Sequence, residues 1–200
     1  MDQFLNLLDR MNSLSGSERK RIEEEIWTIY GVEKTVLILD MSGFSSTTFA
    51  HGIVHYLGMV RRMALSTRPI VARHNGFPIK FEADNLYAVF DESLDAVHAA
   101  VAINQAFHAA NLATPDSLDI HVGIGIDCGK ILIIPGKEFF GHAVNVASKL
   151  GEDLAAAGEI LITARVEEAI RDRIRLPREA LHFDISGLSL EAYRVDYPRE

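Results

Sequence analysis

From residue 34 onward, apolar positions recur at two different spacings, every second residue in some segments and every third or fourth in others. The first spacing marks strands at 34–40, 77–84 and 85–90, with a further strand at 118–126 and a short one at 131–134. The second marks an amphipathic helix over 48–65, with Phe49, Ile53, Tyr56, Leu57 and Val60 inward, and another over roughly 92–111. A helix near 142–154, a strand at 159–163, a helix to residue 173 and two closing strands complete the chain. Strands alternating with helices, with a turn signal at Asn75-Gly76, predict an α+β domain: a mixed sheet with helices packed on one face. Glycines inside the 118–126 strand imply close approach of another element.

Residues 1–32 form a separate short helical segment, and 33–200 form the main domain. Phe4, Leu7, Leu8 and Met11 fall at helical spacing, and a break follows at 13–17. A second helix carries Ile22, Ile26 and Ile29 as its apolar stripe, with Ser15 and Glu18 at capping-box spacing and Gly31 as its stop. Either these helices pack on their own domain, or the stripe serves dimerisation or signal coupling.

The chain's 200 residues suit one domain with a proper core. A net charge of −8, with no cluster of lysine or arginine, argues against a nucleic-acid surface. The single cysteine, Cys128, excludes an internal disulfide and a cysteine-based zinc site, and fits a reducing, cytoplasmic setting. No segment reaches the roughly 18 apolar residues of a membrane span, and the start lacks a basic leader.

Three groups of residues can carry chemistry. Asp40 and Asp84 each close a strand-like run, and Asp40 opens the glycine turn Met41-Ser-Gly-Phe44. If their strands are neighbours, two carboxylates meet at the sheet edge, the arrangement that holds Mg²⁺ against a triphosphate. The plainer alternative is that both merely terminate strands. Alternation puts Lys80, Glu82 and Asp84 on one strand face and Ile79, Phe81 and Ala83 on the other. Lys80 then lies roughly 13 Å from Asp84, too far to share its ion but able to reach a base, unless it simply belongs to a solvated face. Asn145 and Lys149 are four apart on one helix face, outside the apolar stripe of Val144, Ala147 and Leu150. They either meet a phosphoryl group or line a wet helix surface.

The motifs Leu39-Asp-Met-Ser-Gly-Phe44, Lys80-Phe-Glu-Ala-Asp84 with Ala88-Val-Phe90, Gly125-Ile-Asp-Cys-Gly129 and Phe140-Gly-His-Ala-Val-Asn-Val-Ala-Ser-Lys149 together resemble the class III nucleotidyl cyclase catalytic domain. The resemblance runs in order from residue 34 to about 195. It implies a ferredoxin-like core and a head-to-tail homodimer with shared sites. By that likeness Asp40, Asp84 and the Met41 carbonyl hold two Mg²⁺ or Mn²⁺ ions, and the Ser42-Gly43-Phe44-Ser45 backbone cradles phosphate. Asn145 and Lys149 of the partner subunit would orient the ribose and stabilise the α-phosphate. Lys80 and Glu138 fall where the base is read, and their donor and acceptor capacities match adenine, making ATP the expected substrate and cyclic AMP the product.

Four departures mark this chain. Lys149 stands where arginine is usual, exchanging a bidentate fork for a point charge. Gly123 replaces a phosphate-binding arginine, and no lysine stands around 185–191, which leaves Lys130, Lys137 and Arg73 as substitutes. Glu138 stands where aspartate is usual. A regulatory module that binds nucleotide with little turnover, and a cyclase using GTP, are the alternative functions.

Overall fold

The computed structural model describes residues 2–134, 136, 138–185 and 188–198. Two helices, α1 (Asp2–Asn12) and α2 (Gly16–Tyr30), lead into β1 (Gly31–Met41), followed by α3 (Phe44–His51) and α4 (Ile53–Arg73). The hairpin β2 (Phe77–Glu82) and β3 (Asn85–Phe90) then leads to α5 (Ser93–Asn111), β4 (Val122–Ile134) and β5 (Glu138–Phe140). After α6 (His142–Ser148) the chain widens into a π-helical turn, Lys149–Leu154, before β6 (Ile160–Thr163), α7 (Ala164–Ile170), β7 (Arg178–Ile185) and β8 (Leu188–Val195). Among the described residues the strands form one sheet in the order β2-β3-β1-β4-β6-β8-β7, with β5 on the end of β4. Only β4 and β6 run parallel in it, so the sheet is mixed and mainly antiparallel, as expected of an α+β domain.

Helices cover both faces, not one. Leu37, Leu39, Leu86, Ile124 and Ile126 pack under α4, α5 and α7 as the larger core. On the opposite face Val36, Ile38, Ile131 and Phe139 pack under Ala143 and Ala147 of α6. The 118–126 glycines make that second layer possible. A Cβ on Gly125 would lie 2.2 Å from the Ala147 carbonyl oxygen, and one on Gly151 would lie 2.6 Å from that of Ile38. Helix α6 and its π turn therefore rest backbone-on-backbone against the sheet, which fixes the height of Asn145 and Lys149 above it.

Several expected boundaries shift. Instead of separate strands at 118–126 and 131–134 there is one, β4, because β1 pairs with it without interruption from Gly31↔Leu132 to Met41↔Val122. The expected helix over 48–65 is two helices broken at Gly52, whose φ of +85° an L side chain rarely adopts. Phe49 belongs to the separate helix α3, and within α4 the inward row is Tyr56, Met59 and Met63. Tyr56 is buried, but Phe49 is 95% exposed, and Ile53 and Leu57 are about half exposed. Ile79 and Phe81 fall on different faces, since a β-bulge between Pro78 and Lys80 shifts the register.

The N-terminal helices pack on the chain's own sheet, with Phe4, Leu7, Ile22, Ile26 and Tyr30 closing over Ile134. Tyr30 takes the inward position expected of Ile29, which is 45% exposed, because 22, 26 and 30 continue the i, i+4 row. Ser15 occupies the N-cap, but its side chain makes no capping hydrogen bond. Among the described residues no helix is long and apolar enough to cross a membrane.

Candidate active site

Strand β1 delivers Asp40 to the end of the sheet, and its neighbour there is β3, not the β2 strand that precedes Asp84. The register pairs Asp40 with Asn85, so Asp84 sits one residue from a direct cross-strand partner of Asp40. It lies in the two-residue turn of the β2–β3 hairpin, preceded by Ala83 at φ +49°. A non-glycine residue in that region stores strain of about 1 kcal/mol or more, of the kind found where backbone geometry serves a site.

The two carboxylates are electrostatically coupled. Burial, then the charges of Asp84, Glu152 and Asp153, push the Asp40 carboxyl up to about 7 from its ordinary 3.8, against the pull of a hydrogen bond from the Met41 amide. Glu152 and Asp153 come from the π turn, and the sequence reading did not include them. Glu152 accepts from the Asn85 amide at 3.2 Å and the Tyr87 hydroxyl at 3.1 Å. Asp84 accepts from the buried hydroxyl of Tyr56 at 2.7 Å.

Among the described residues no three histidine, cysteine or carboxylate side chains converge into a ready-made metal cage. A set of two carboxylates and a backbone carbonyl is nonetheless what Mg²⁺ takes when triphosphate oxygens and water complete its shell. Burial first, and then the neighbouring acidic charges, disfavour the ionised Asp40 carboxyl, and a divalent cation there would offset both. The residues present fit such an ion.

Beside Asp40, Gly43 at φ +91° turns the chain from β1 into α3. The Ser42 amide is already bonded to the His121 carbonyl at 2.9 Å, so it does not belong to a free phosphate cradle. The Phe44 and Ser45 amides open α3 and lack intrahelical acceptors, as first-turn amides do. Phe44 stands edge-on to Tyr56, ring centroids 5.0 Å apart.

Lys80 and Glu138, 58 positions apart in sequence, meet because the β4–β5 arm folds over the hairpin until Phe139 touches Tyr87. The Lys80 ammonium lies 2.6 Å from Glu82, 3.7 Å from Glu138 and 5.0 Å from the centre of the Tyr87 ring. The Glu82 contact, followed by Glu138, raises the Lys80 pKa against the opposing effect of its burial. On α6, Asn145 is exposed, and Lys149 one turn on pairs with Asp153 at 2.6 Å. Lys130 and Arg73 do not approach Asp40 in the same chain. Lys130 stands opposite Glu33, roughly 23 Å back along β1, with its ammonium over the Trp27 ring. Arg73 ends α4 beside His74, and Lys137 lies outside the described residues.

This combination defines a class: a mixed sheet whose central strand ends in an acid, a hairpin turn bringing a second acid, and a helix carrying an amide and an ammonium over the same sheet. The chain belongs to the adenylate and guanylate cyclase catalytic domain family, whose model matches residues 32–190. It is similar to a putative adenylate cyclase 3 of Rhizobium meliloti, 32% identical over 105 residues, which are 52% of this chain and 18% of that protein. A terminal-differentiation-specific adenylate cyclase of Dictyostelium discoideum is 30% identical over 154 residues, 68% of this chain and 7% of the relative. The chain thus spans under a fifth of the length of either relative. Among solved structures, an adenylate/guanylate cyclase/hydrolase from Silicibacter pomeroyi superposes with TM-score 0.70 at 26% identity, covering 84% of this chain and 98% of that one. The guanylyl cyclase Cya2 shares the fold, with TM-score 0.71 at 22% identity over 82% of this chain and 92% of that one.

Proposed function

We propose that this chain is an adenylate cyclase domain that converts ATP to 3′,5′-cyclic AMP and pyrophosphate at sites shared by a head-to-tail homodimer. The observation that carries the reading is geometric: Asp40 at the end of β1 pairs across with Asn85, which brings Asp84 in the hairpin turn beside it at the open end of the sheet. In the reaction the ribose 3′-oxygen bonds to the α-phosphorus, the bond to the bridging oxygen breaks, and pyrophosphate departs while the hydroxyl proton passes to water. Two bound Mg²⁺ or Mn²⁺ ions would supply Lewis acidity at the attacking and leaving oxygens. Asp40, Asp84 and the Met41 carbonyl would hold them, and the Phe44 and Ser45 amides would donate to phosphate oxygens at the α3 N-terminus. The partner subunit supplies Asn145 to orient the ribose and Lys149 to balance charge on the α-phosphate.

Adenine is favoured by the meeting of Lys80 and Glu138, which pairs a donor for the ring nitrogen with an acceptor for the exocyclic amine. Association is supported by the apolar side chains on α3 and α4, where Phe49 and Val54 are 95% and 80% exposed beside half-exposed Phe44, Ile53 and Leu57. One observation favours a second reading, a nucleotide-binding regulatory module with little turnover. A Cβ on Gly123 would lie 2.8 Å from the Ala155 carbonyl oxygen and 2.9 Å from that of Gly151, so the space where the family carries a phosphate-binding arginine is filled by backbone.

Incubation of the chain with each of the four ribonucleoside triphosphates and Mg²⁺ or Mn²⁺, with the products identified, separates these readings. Metal-dependent cyclic AMP from ATP is expected. Cyclic GMP as the main product would reassign the substrate, and nucleotide binding without a cyclic product would favour the regulatory module.

A further inference from the structure

Tyr56 stands in the first turn of α4, four residues beyond the Gly52 break, and is 2% exposed. Its ring belongs to the larger core, which also holds Met41, Met59 and Leu86, and meets the Phe44 ring edge-on at 81°. Phenylalanine would fill the same volume without bringing a hydroxyl out of water, which is unfavourable unless the group is paired. The hydroxyl is paired: it donates to Asp84 Oδ2 at 2.7 Å, within the range of a short charge-assisted bond. A single buried side chain thus touches both the turn that opens α3 and the hairpin turn that carries Asp84.

We infer that Tyr56 is a positioning residue for divalent-cation binding, its buried hydroxyl fixing the Asp84 carboxylate so that Oδ1 and the free lone pair of Oδ2 remain for the ion. The inference rests on the cyclase reading of Asp40 and Asp84. Carboxylates that bind cations are themselves hydrogen-bonded, and loss of such an outer contact weakens metal affinity by about 10–100-fold. Tyr56 begins the buried row of α4, followed by Met59 and Met63, which turns its hydroxyl toward the hairpin.

The test compares Mn²⁺ affinity of wild type and Tyr56→Phe by calorimetry and by the electron paramagnetic resonance of free Mn²⁺, with no nucleotide present. Tyr56→Phe should bind Mn²⁺ about 10–100-fold more weakly while its urea midpoint stays near wild type. Met59→Leu, a volume-conserving change in the same core, should leave Mn²⁺ affinity unchanged. In a double-mutant cycle, Tyr56→Phe added to Asp84→Asn should produce no further loss, since the acceptor has already changed. Mn²⁺ binding equal in wild type and Tyr56→Phe overturns the positioning role alone. A further loss in the double mutant equal to that in wild type also overturns it, because the hydroxyl would then act without Asp84. Absence of Mn²⁺ binding by wild type overturns this inference together with the metal assignment of Asp40 and Asp84.

Discussion

Replacing Asp40 by asparagine should stabilise the metal-free chain, and do so only where the carboxyl would otherwise be charged. Burial and the charges of Asp84, Glu152 and Asp153 raise this group from 3.8 to about 7. Folding therefore binds a proton, and stability contributed by the protonated form is fully present below the unfolded value of 3.8 and lost as pH rises to about 7. A shift of about three pK units corresponds to roughly 4 kcal/mol at full strength. Asp40 is only partly buried, and solvent screening brings the realistic figure to about 1–2 kcal/mol. Urea denaturation in chelator should show Asp40→Asn more stable than wild type by about that amount at pH 8, with the advantage shrinking below about 0.5 kcal/mol near pH 4. Adding Mn²⁺ should reverse the order at pH 8, because only wild type retains both carboxylates. An advantage independent of pH, or none at pH 8, would refute the claim that burial and like charge together raise the Asp40 carboxyl.

Three further expectations test other parts of the account. Gly125→Ala should lower stability by about 3 kcal/mol or more, measured by urea denaturation, since its Cβ would lie 2.2 Å from the Ala147 carbonyl and α6 would have to lift; a loss under about 1 kcal/mol would show that α6 is free to move. Phe49→Asp should weaken self-association at least tenfold in sedimentation equilibrium with little change in monomer stability, as Phe49 is 95% exposed; unchanged association would remove α3 from the interface. Lys80→Glu should raise KM for ATP by tenfold or more while the urea midpoint stays near wild type, because the Glu82 and Glu138 contacts of Lys80 are largely at the surface; equal ATP kinetics would mean that the base is read elsewhere.

What the sequence revealed and what it hid follow from the range of the interactions. The strand through Asp40 and the hairpin around Asp84 were legible because period-two burial and turn chemistry are local, although Asp84 falls in the turn beyond β2, and the glycines at 123 and 125 mark the close approach of α6 and its π turn. The spacing of Asn145 and Lys149 predicts a shared helix face, and the structure places Asn145 on α6 and Lys149 at the start of the π turn, its ammonium on Asp153. The Gly52 break was missed because Phe49, Ile53, Tyr56, Leu57 and Val60 fit a single helical stripe on paper, while only Tyr56 and Val60 face the core. The bulge at Pro78 separates Ile79 from Phe81, and it depends on pairing with β3, which no count along β2 reveals. Tyr56 was read as an apolar contact, and its hydroxyl acquires meaning only when the β2–β3 turn arrives beside it. Glu152 and Asp153 carried no motif. Their place next to Asp40 depends on the π turn, whose wider spacing is invisible in composition.

The most direct test mixes two inactive chains, one with Asp40→Ala and one with Asn145→Ala, and follows cyclic AMP formation from ATP and Mn²⁺. Each heterodimer should assemble one intact site from Asp40 and Asp84 of one chain and Asn145 and Lys149 of the other, so activity should return to about a quarter of wild type once half the dimers are mixed. Silence of the mixture with heterodimers confirmed, or full activity of either variant alone, would contradict an active site shared across two chains.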